Sequence, residues 1–235
     1  MILCIDSGNT RIKYGFSSNS RWQECGALSL PELSRLTQRC QALKPDKIIL
    51  ANVAGESARE AIINALPLGQ DGLLEARSTA QAAGVTNGYE NPQQLGVDRW
   101  CALIGARALT RQDCLVVMAG TATTIDTLNA AGDFCGGLIL PGPDLMRRSL
   151  ARDTAALPLA KGQHTLPPRN TDDAIISGCL EAQAGAIERA FARLSKKPGA
   201  ACIISGGAAG QITPLLGIPF QPIENLVLEG LIRLA

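Results

Sequence analysis

With 235 residues, the chain has room for one large domain or two small ones, and for a sizeable core. Hydrophobic residues at 46% and charged residues at 18% exclude a disordered chain. A net charge of +1 and an aromatic content of 3% argue against nucleic-acid binding, which needs a basic field and stacking platforms.

The first predicted strand is Ile2 to Ile5, followed by the turn Asp6-Ser7-Gly8-Asn9-Thr10 and a second strand from Arg11 to Ser17. A third spans Arg21 to Leu28. Pro31 opens a helix that runs to about Leu43, proline being favoured in a first turn. Lys47 to Ala51 is a continuous apolar strand of the buried parallel kind. Ser57 to Leu66 reads as a helix capped by Ser57, and Leu73 to Ala76 as a short strand. Thr79 to Gln94 reads as loop, punctuated by Gly84, Asn87-Gly88 and Asn91-Pro92. Asp98 to Leu109 is a helix. Strands then run Cys114 to Met118, Thr123 to Asn129 and Phe134 to Leu140, with a hairpin turn at Ala131-Gly132-Asp133. Pro143 to Leu150 is a helix, Lys161 to Asn170 a proline-rich loop. A long helix runs from Thr171 to about Lys196, with Ile175, Ile176, Cys179, Leu180, Ile187, Phe191 and Leu194 near one stripe. Strand Ala201 to Ser205, a short helix, strand Phe220 to Ile223 and helix Leu226 to Leu234 complete the sequence. The expected division is 1–112 and 113–235, and the expected class is α/β.

The most informative feature is a construction that occurs twice. Ile2 to Ile5 runs into Asp6-Ser7-Gly8-Asn9-Thr10, and Leu115-Val116-Val117-Met118 runs into Ala119-Gly120-Thr121-Ala122-Thr123-Thr124; each turn leads into another strand. A glycine turn flanked by small hydroxyl residues aims backbone N–H groups at one spot and lets an anion approach. Two copies suggest two similar lobes facing a polyphosphate. Neither a P-loop nor a GxGxxG fingerprint is present. Ser205-Gly206-Gly207 offers bare backbone at the end of a strand, where a flat adenine ring can lie. Two phosphate turns followed by such a segment form the pattern of the acetate and sugar kinase, heat-shock ATPase and actin superfamily.

Further segments narrow the resemblance: Gly96-Val97-Asp98-Arg99, Gly120 to Asp126, Gly136-Gly137-Leu138-Ile139-Leu140-Pro141-Gly142, Thr154 to Pro158, Thr171 before Ser177-Gly178, and Leu228-Glu229-Gly230-Leu231. In this order, over nearly the whole chain, they resemble type III pantothenate kinase. The resemblance implies two actin-like (ribonuclease H-like) lobes with a cleft between them, a homodimer, and ATP-dependent phosphorylation of pantothenate, the first step to coenzyme A. A catalytically weak member acting as an accessory or regulatory factor is the alternative.

By the same resemblance, Asp98 is the general base, although an aspartate there also suits a helix cap. Arg99 grips the substrate carboxylate, for which a guanidinium offers two parallel hydrogen bonds. Gly96 and Val97 contact the same ligand through backbone, and Tyr89 through its side chain. Thr171 reaches the pantothenate of a neighbouring subunit, or caps its helix. For ATP, the first phosphate loop comprises Asp6, Ser7, Gly8, Asn9, Thr10, Arg11, Ile12 and Lys13, with Asp6 holding Mg²⁺ through water. Thr121 serves in the second loop, and Gly206 and Gly207 receive the adenosine. The resemblance also implies a monovalent cation, potassium or ammonium. Its usual acid is replaced here by Met118, a thioether that suits potassium poorly.

Several residues are expected to do nothing special. His164, the only histidine, reads as solvated, and Arg147, Arg148 and Arg152 as a solvated face. The 8 cysteines show no CxxC or zinc spacing and read as reduced, mostly buried thiols. No apolar run approaches the roughly 20 residues of a membrane span, and Met1 to Ile5 is no signal segment. A cytoplasmic protein without membrane or nucleic-acid partners is expected.

Overall fold

The structure is a computed structural model; it describes residues 1–19, 21–66, 72–194 and 199–235. The chain separates into two compact units. One comprises Met1–Arg111, Ala131–Cys135 and Asn225–Ala235, the other Gln112–Ala130 and Gly136–Glu224. A cut at 112/113 would put Ala131–Cys135 and Asn225–Ala235 with the second unit, whereas both pack with the first.

In the first unit, strands β1 (Ile2–Ser7), β2 (Ile12–Ser18), β3 (Arg21–Leu28), β4 (Lys47–Asn52) and β5 (Leu73–Glu75) form one sheet in the order β3-β2-β1-β4-β5. β1 runs antiparallel to β2 and parallel to β4, with Asp6 opposite Lys13 and Ala51. The central strands are apolar runs because both faces are covered. Edge strand β3 alternates exposed and half-buried residues. Helix α1 (Leu33–Leu43) buries Leu33, Leu36 and Cys40, which share one face at helical spacing. It is preceded by a 3-10 turn, Leu30–Glu32, in which Ser29 and Glu32 form a capping box. Helix α2 (Glu56–Ala65) has Gly55, not Ser57, at its N-cap. Leu36, Cys40 and Ile62 pack with Leu3, Ile5, Phe16, Ile48 and Leu50 in one core.

The segment expected to be loop holds two short strands, β6 (Gln81–Ala82) and β7 (Val85–Asn87), and a 3-10 turn over Pro92–Gln94. Ala83 and Gly84 turn the β6–β7 hairpin with φ of +47° and +79°. β7 pairs with Asp133 and Phe134, which belong to the same unit. Helix α3 (Val97–Leu109) is buried without a break from Arg99 to Arg107. Helix α7 (Leu226–Leu231) packs on it so closely that a Cβ at Gly230 would lie 1.8 Å from the Cys101 carbonyl oxygen, and one at Gly105 2.4 Å from that of Leu226. Trp22 Nε1 donates to Glu229 Oε1 at 2.6 Å, tying the same helix to β3.

The second unit repeats the strand order. β8 (Cys114–Ala119), β9 (Ala122–Leu128), β10 (Asp133–Pro141, whose residues from Gly136 onward belong to this unit), β11 (Ala201–Ser205) and β12 (Gln221–Pro222) lie in the order β10-β9-β8-β11-β12. Its central strand is again antiparallel to the next strand and parallel to the strand reached by a crossover. Helix α4 is Pro143–Asp153, α5 is Thr171–Leu194 and α6 is Ala209–Ile212; the expected end of α5 near Lys196 lies outside the described residues. Leu180, Ile187 and Phe191 of α5 cover Leu115, Val117, Ile125 and Ile204 of the sheet. The α5 stripe is therefore core, with Ile175 and Cys179 turned to a smaller cluster with Ala160. Of the eight cysteines, Cys25 and Cys135 are exposed and the other six buried.

Candidate active site

Asp6 is the last residue but one of β1, beside the tight turn in which Gly8 N donates to Arg11 O at 3.1 Å. Asn9, Thr10 and Arg11 are exposed at that turn, while Ser7 is buried and Ile12 begins β2. Burial, and next to it the negative charge of Asp98, push the Asp6 carboxyl up to about 7, with Lys13 pulling the other way. Two acids within electrostatic reach of each other, one of them poorly hydrated, make a site that gains from a divalent cation. The donors are hard oxygens, the chemistry that Mg²⁺ prefers. No cluster of three or more His, Cys, Asp or Glu suited to a metal occurs among the described residues. Mg²⁺ bound by few protein ligands, with water and phosphate completing its shell, fits that donor set.

Gly96 occupies the N-cap of α3, and Val97, Asp98 and Arg99 form its first turn. Asp98 is thus not the cap residue, but its Oδ1 accepts the Arg99 N–H at 2.8 Å and satisfies one open donor of that turn. Its carboxylate stays partly exposed, whereas Arg99 is 5% exposed. The guanidinium is held by aromatic rings: Nη1 donates to the Tyr89 hydroxyl at 3.0 Å, and Cζ lies 5.6 Å and 5.7 Å from the Tyr89 and Phe134 ring centres. Such stacking suits a weakly hydrated cation. Tyr89 is itself fixed by Asn87, whose side chain accepts the Tyr89 N–H and donates to the carbonyls of Thr79 and Pro92. Sequence reading missed Phe134 and Asn87. The only hint was the Asn87-Gly88 pair, read as punctuation.

The second unit carries the other glycine turn. Gly120 N donates to Ala122 O at 3.0 Å, and Thr121 is exposed at its tip. Met118 stands in β8 where Asp6 stands in β1, opposite Thr124 and Ser205. Gly206 follows β11 with φ of +107°, and a Cβ there would lie 2.1 Å from the Ala119 carbonyl oxygen. Only glycine satisfies both demands. Gly207 is exposed beside it.

Thr171 is the first residue of α5 and exposed; the cap is Asn170, whose Oδ1 accepts the Asp173 N–H at 2.8 Å. Thr171 lines a groove of about 920 Å³ with Arg169, Met146, Leu150 and Ile175. His164 is half-buried rather than solvated and meets Glu181 Oε1 at 2.7 Å. Arg147 likewise leaves the solvated face: it pairs with Asp144 and donates to Ala160 O at 2.8 Å.

A profile of the family described as type III pantothenate kinase matches residues 2–193. Among relatives, the chain is 54% identical to "Type III pantothenate kinase" of Aromatoleum aromaticum, over 98% of this chain and 96% of that protein. It is 51% identical to the protein of the same name from Dechloromonas aromatica, over 100% and 99%. Among solved structures, the activator of the 2-hydroxyisocaproyl-CoA dehydratase from Clostridium difficile, with bound ADPNP, superposes with a TM-score of 0.57 at 9% identity, over 98% of this chain and 92% of that one; it shows the fold alone. No helix among the described residues is long and apolar enough to cross a membrane. The two units have actin-like folds, and the chain belongs to the type III pantothenate kinase family.

Proposed function

We infer that this chain transfers the γ-phosphoryl group of ATP to the terminal hydroxyl of pantothenate, the first step of coenzyme A synthesis. The observation that carries the reading is the Asp98–Arg99 pair at the head of α3, with Asp6 in electrostatic reach. The hydroxyl oxygen attacks the γ-phosphorus, the bond to the β–γ bridging oxygen breaks, ADP leaves, and Asp98 takes the proton. Phosphoryl transfer has a loose transition state, so Asp98 also aims the hydroxyl. Arg99 pairs with the carboxylate of pantothenate, aided by Tyr89 and the backbone of Gly96 and Val97. Asp6 would hold Mg²⁺ through water, and a divalent ion there would offset negative charge on the phosphates. The turns from Asp6 to Lys13 and around Thr121 take the phosphates, and Gly206-Gly207 the adenosine. ADP release with Mg²⁺ and saturating ATP should depend on added pantothenate. An inert protein would favour the accessory-factor alternative, which the retention of Asp6 and Asp98 opposes.

Two finer readings have their own tests. The second unit offers a neutral thioether where the first offers a carboxylate, so potassium loses its acid ligand at Met118. Replacing potassium by sodium should change the rate by less than about twofold, a thioether being too soft to hold either ion; a complete requirement for potassium would refute this. The chain also works as a homodimer in which Thr171 serves the neighbouring subunit. Leu138, Ile139, Leu159 and Leu166 of the second unit, between 44% and 65% exposed, support a second copy as the cover. Light scattering should give twice the chain mass, and a monomer with full turnover would remove the shared role of Thr171.

A further inference from the structure

In the second unit the glycine turn is braced by backbone. Gly142 N, at the end of β10, donates to Thr121 O at 2.9 Å, and a Cβ at Gly142 would lie 2.1 Å from Gly120 O. Ala208 N donates to Ala119 O at 3.0 Å from the other side. One side chain joins this arrangement. Gln183, from the middle of α5, donates through Nε2 to Pro141 O at 2.8 Å, with Met146 Sδ at 3.3 Å. Gln183 is 0% exposed, and neighbouring Leu180, Ala184 and Ile187 on the same helix belong to the apolar core. Its Oε1 has no hydrogen-bond partner among the described residues.

An amide in that position is costly. A buried carbonyl without a donor loses its hydration and gains nothing back. Methionine fills nearly the same volume with no polar atom to satisfy. The bond that Gln183 does make goes to the residue directly before Gly142, and Gly142 holds the Thr121 carbonyl. We propose that Gln183 is a positioning residue for ATP, fixing Pro141 and Gly142 and through them the phosphate-binding turn at Gly120-Thr121. The proposal rests on the reading of that turn as the second phosphate loop.

The test compares Gln183→Met and Thr121→Ala with the wild type, measuring KM for ATP, KM for pantothenate, kcat and melting temperature. Gln183→Met should raise KM for ATP about tenfold, the scale of one lost hydrogen bond. KM for pantothenate should stay within about twofold, and the melting temperature should not fall, since the orphaned carbonyl is gone. If Thr121→Ala raises KM for ATP and Gln183→Met does not, the proposal fails while the loop reading stands. If neither changes it, the loop reading fails too. A rise in both KM values with a lower melting temperature marks Gln183 as merely structural and overturns the proposal. Gln183→Glu, which keeps the shape and loses the donor, is measured alongside; failure of both variants to fold overturns it equally.

Discussion

Asp98→Asn should lower kcat by about 10² to 10⁴, the contribution typical of a positioned general base, and leave the fold intact. The amide oxygen of asparagine can still accept the Arg99 N–H that Asp98 Oδ1 now accepts at 2.8 Å, so the first turn of α3 keeps its bond. The side chain is partly exposed, which limits the stability change to about 0.5 kcal/mol. Steady-state rates with pantothenate and ATP, with a melting curve for each protein, decide the matter. An asparagine can orient a hydroxyl but cannot take its proton. A residual rate near the top of the range would therefore mark aiming as the larger share of what Asp98 does, and an unchanged rate would place the base elsewhere.

Gly230→Ala should destabilise the first unit and impair catalysis together. The new methyl would fall 1.8 Å from the Cys101 carbonyl oxygen, an atom of helix backbone that cannot swing aside. Helices α3 and α7 must then separate, at a cost of about 1–3 kcal/mol or more for overpacking. For a protein of this size each kcal/mol lowers the melting temperature by about 2–4 °C. Cys101 lies one helical turn from Asp98 on α3, so the shift is transmitted to the acid and the guanidinium. Both kcat and KM for pantothenate should suffer. Gly185→Ala is the control: on α5 an added Cβ meets nothing within 4 Å, and alanine favours a helix interior by about 1 kcal/mol. Equal melting temperatures for Gly230→Ala and wild type would show that the crossing has slack.

What the sequence made legible was local and periodic. β1, β4, β8 and β11 announce themselves as apolar runs because both faces of a central strand are covered. The Asp98-Arg99 pair stood out through the resemblance carried by the contiguous segment Gly96-Val97-Asp98-Arg99. Helix starts were less legible where neighbouring residues competed: Gly55 took the end expected of Ser57, and Asn170 that considered for Thr171. Both outcomes follow from the several residue types that suit an N-cap. The β6–β7 hairpin was hidden since its strands are too short to show a period. Asn87 was hidden because a turn-forming Asn-Gly pair gives no sign of the three local hydrogen bonds its side chain makes around Tyr89, and Phe134 was out of reach because its ring meets Arg99 across distance in sequence. The same holds for Gln183, 42 residues from the carbonyl it holds.

The first unit is assembled from three separate stretches, the last of them Asn225–Ala235, whereas the second is complete by Glu224. On the ribosome, the half bearing the acid and the guanidinium begins synthesis first and finishes last. Its helix α3 emerges early and waits, its face for α7 uncovered, through the translation of more than a hundred codons. Chaperone demand should therefore fall on the older half of the nascent chain, and the half made in the interval is the one able to close first.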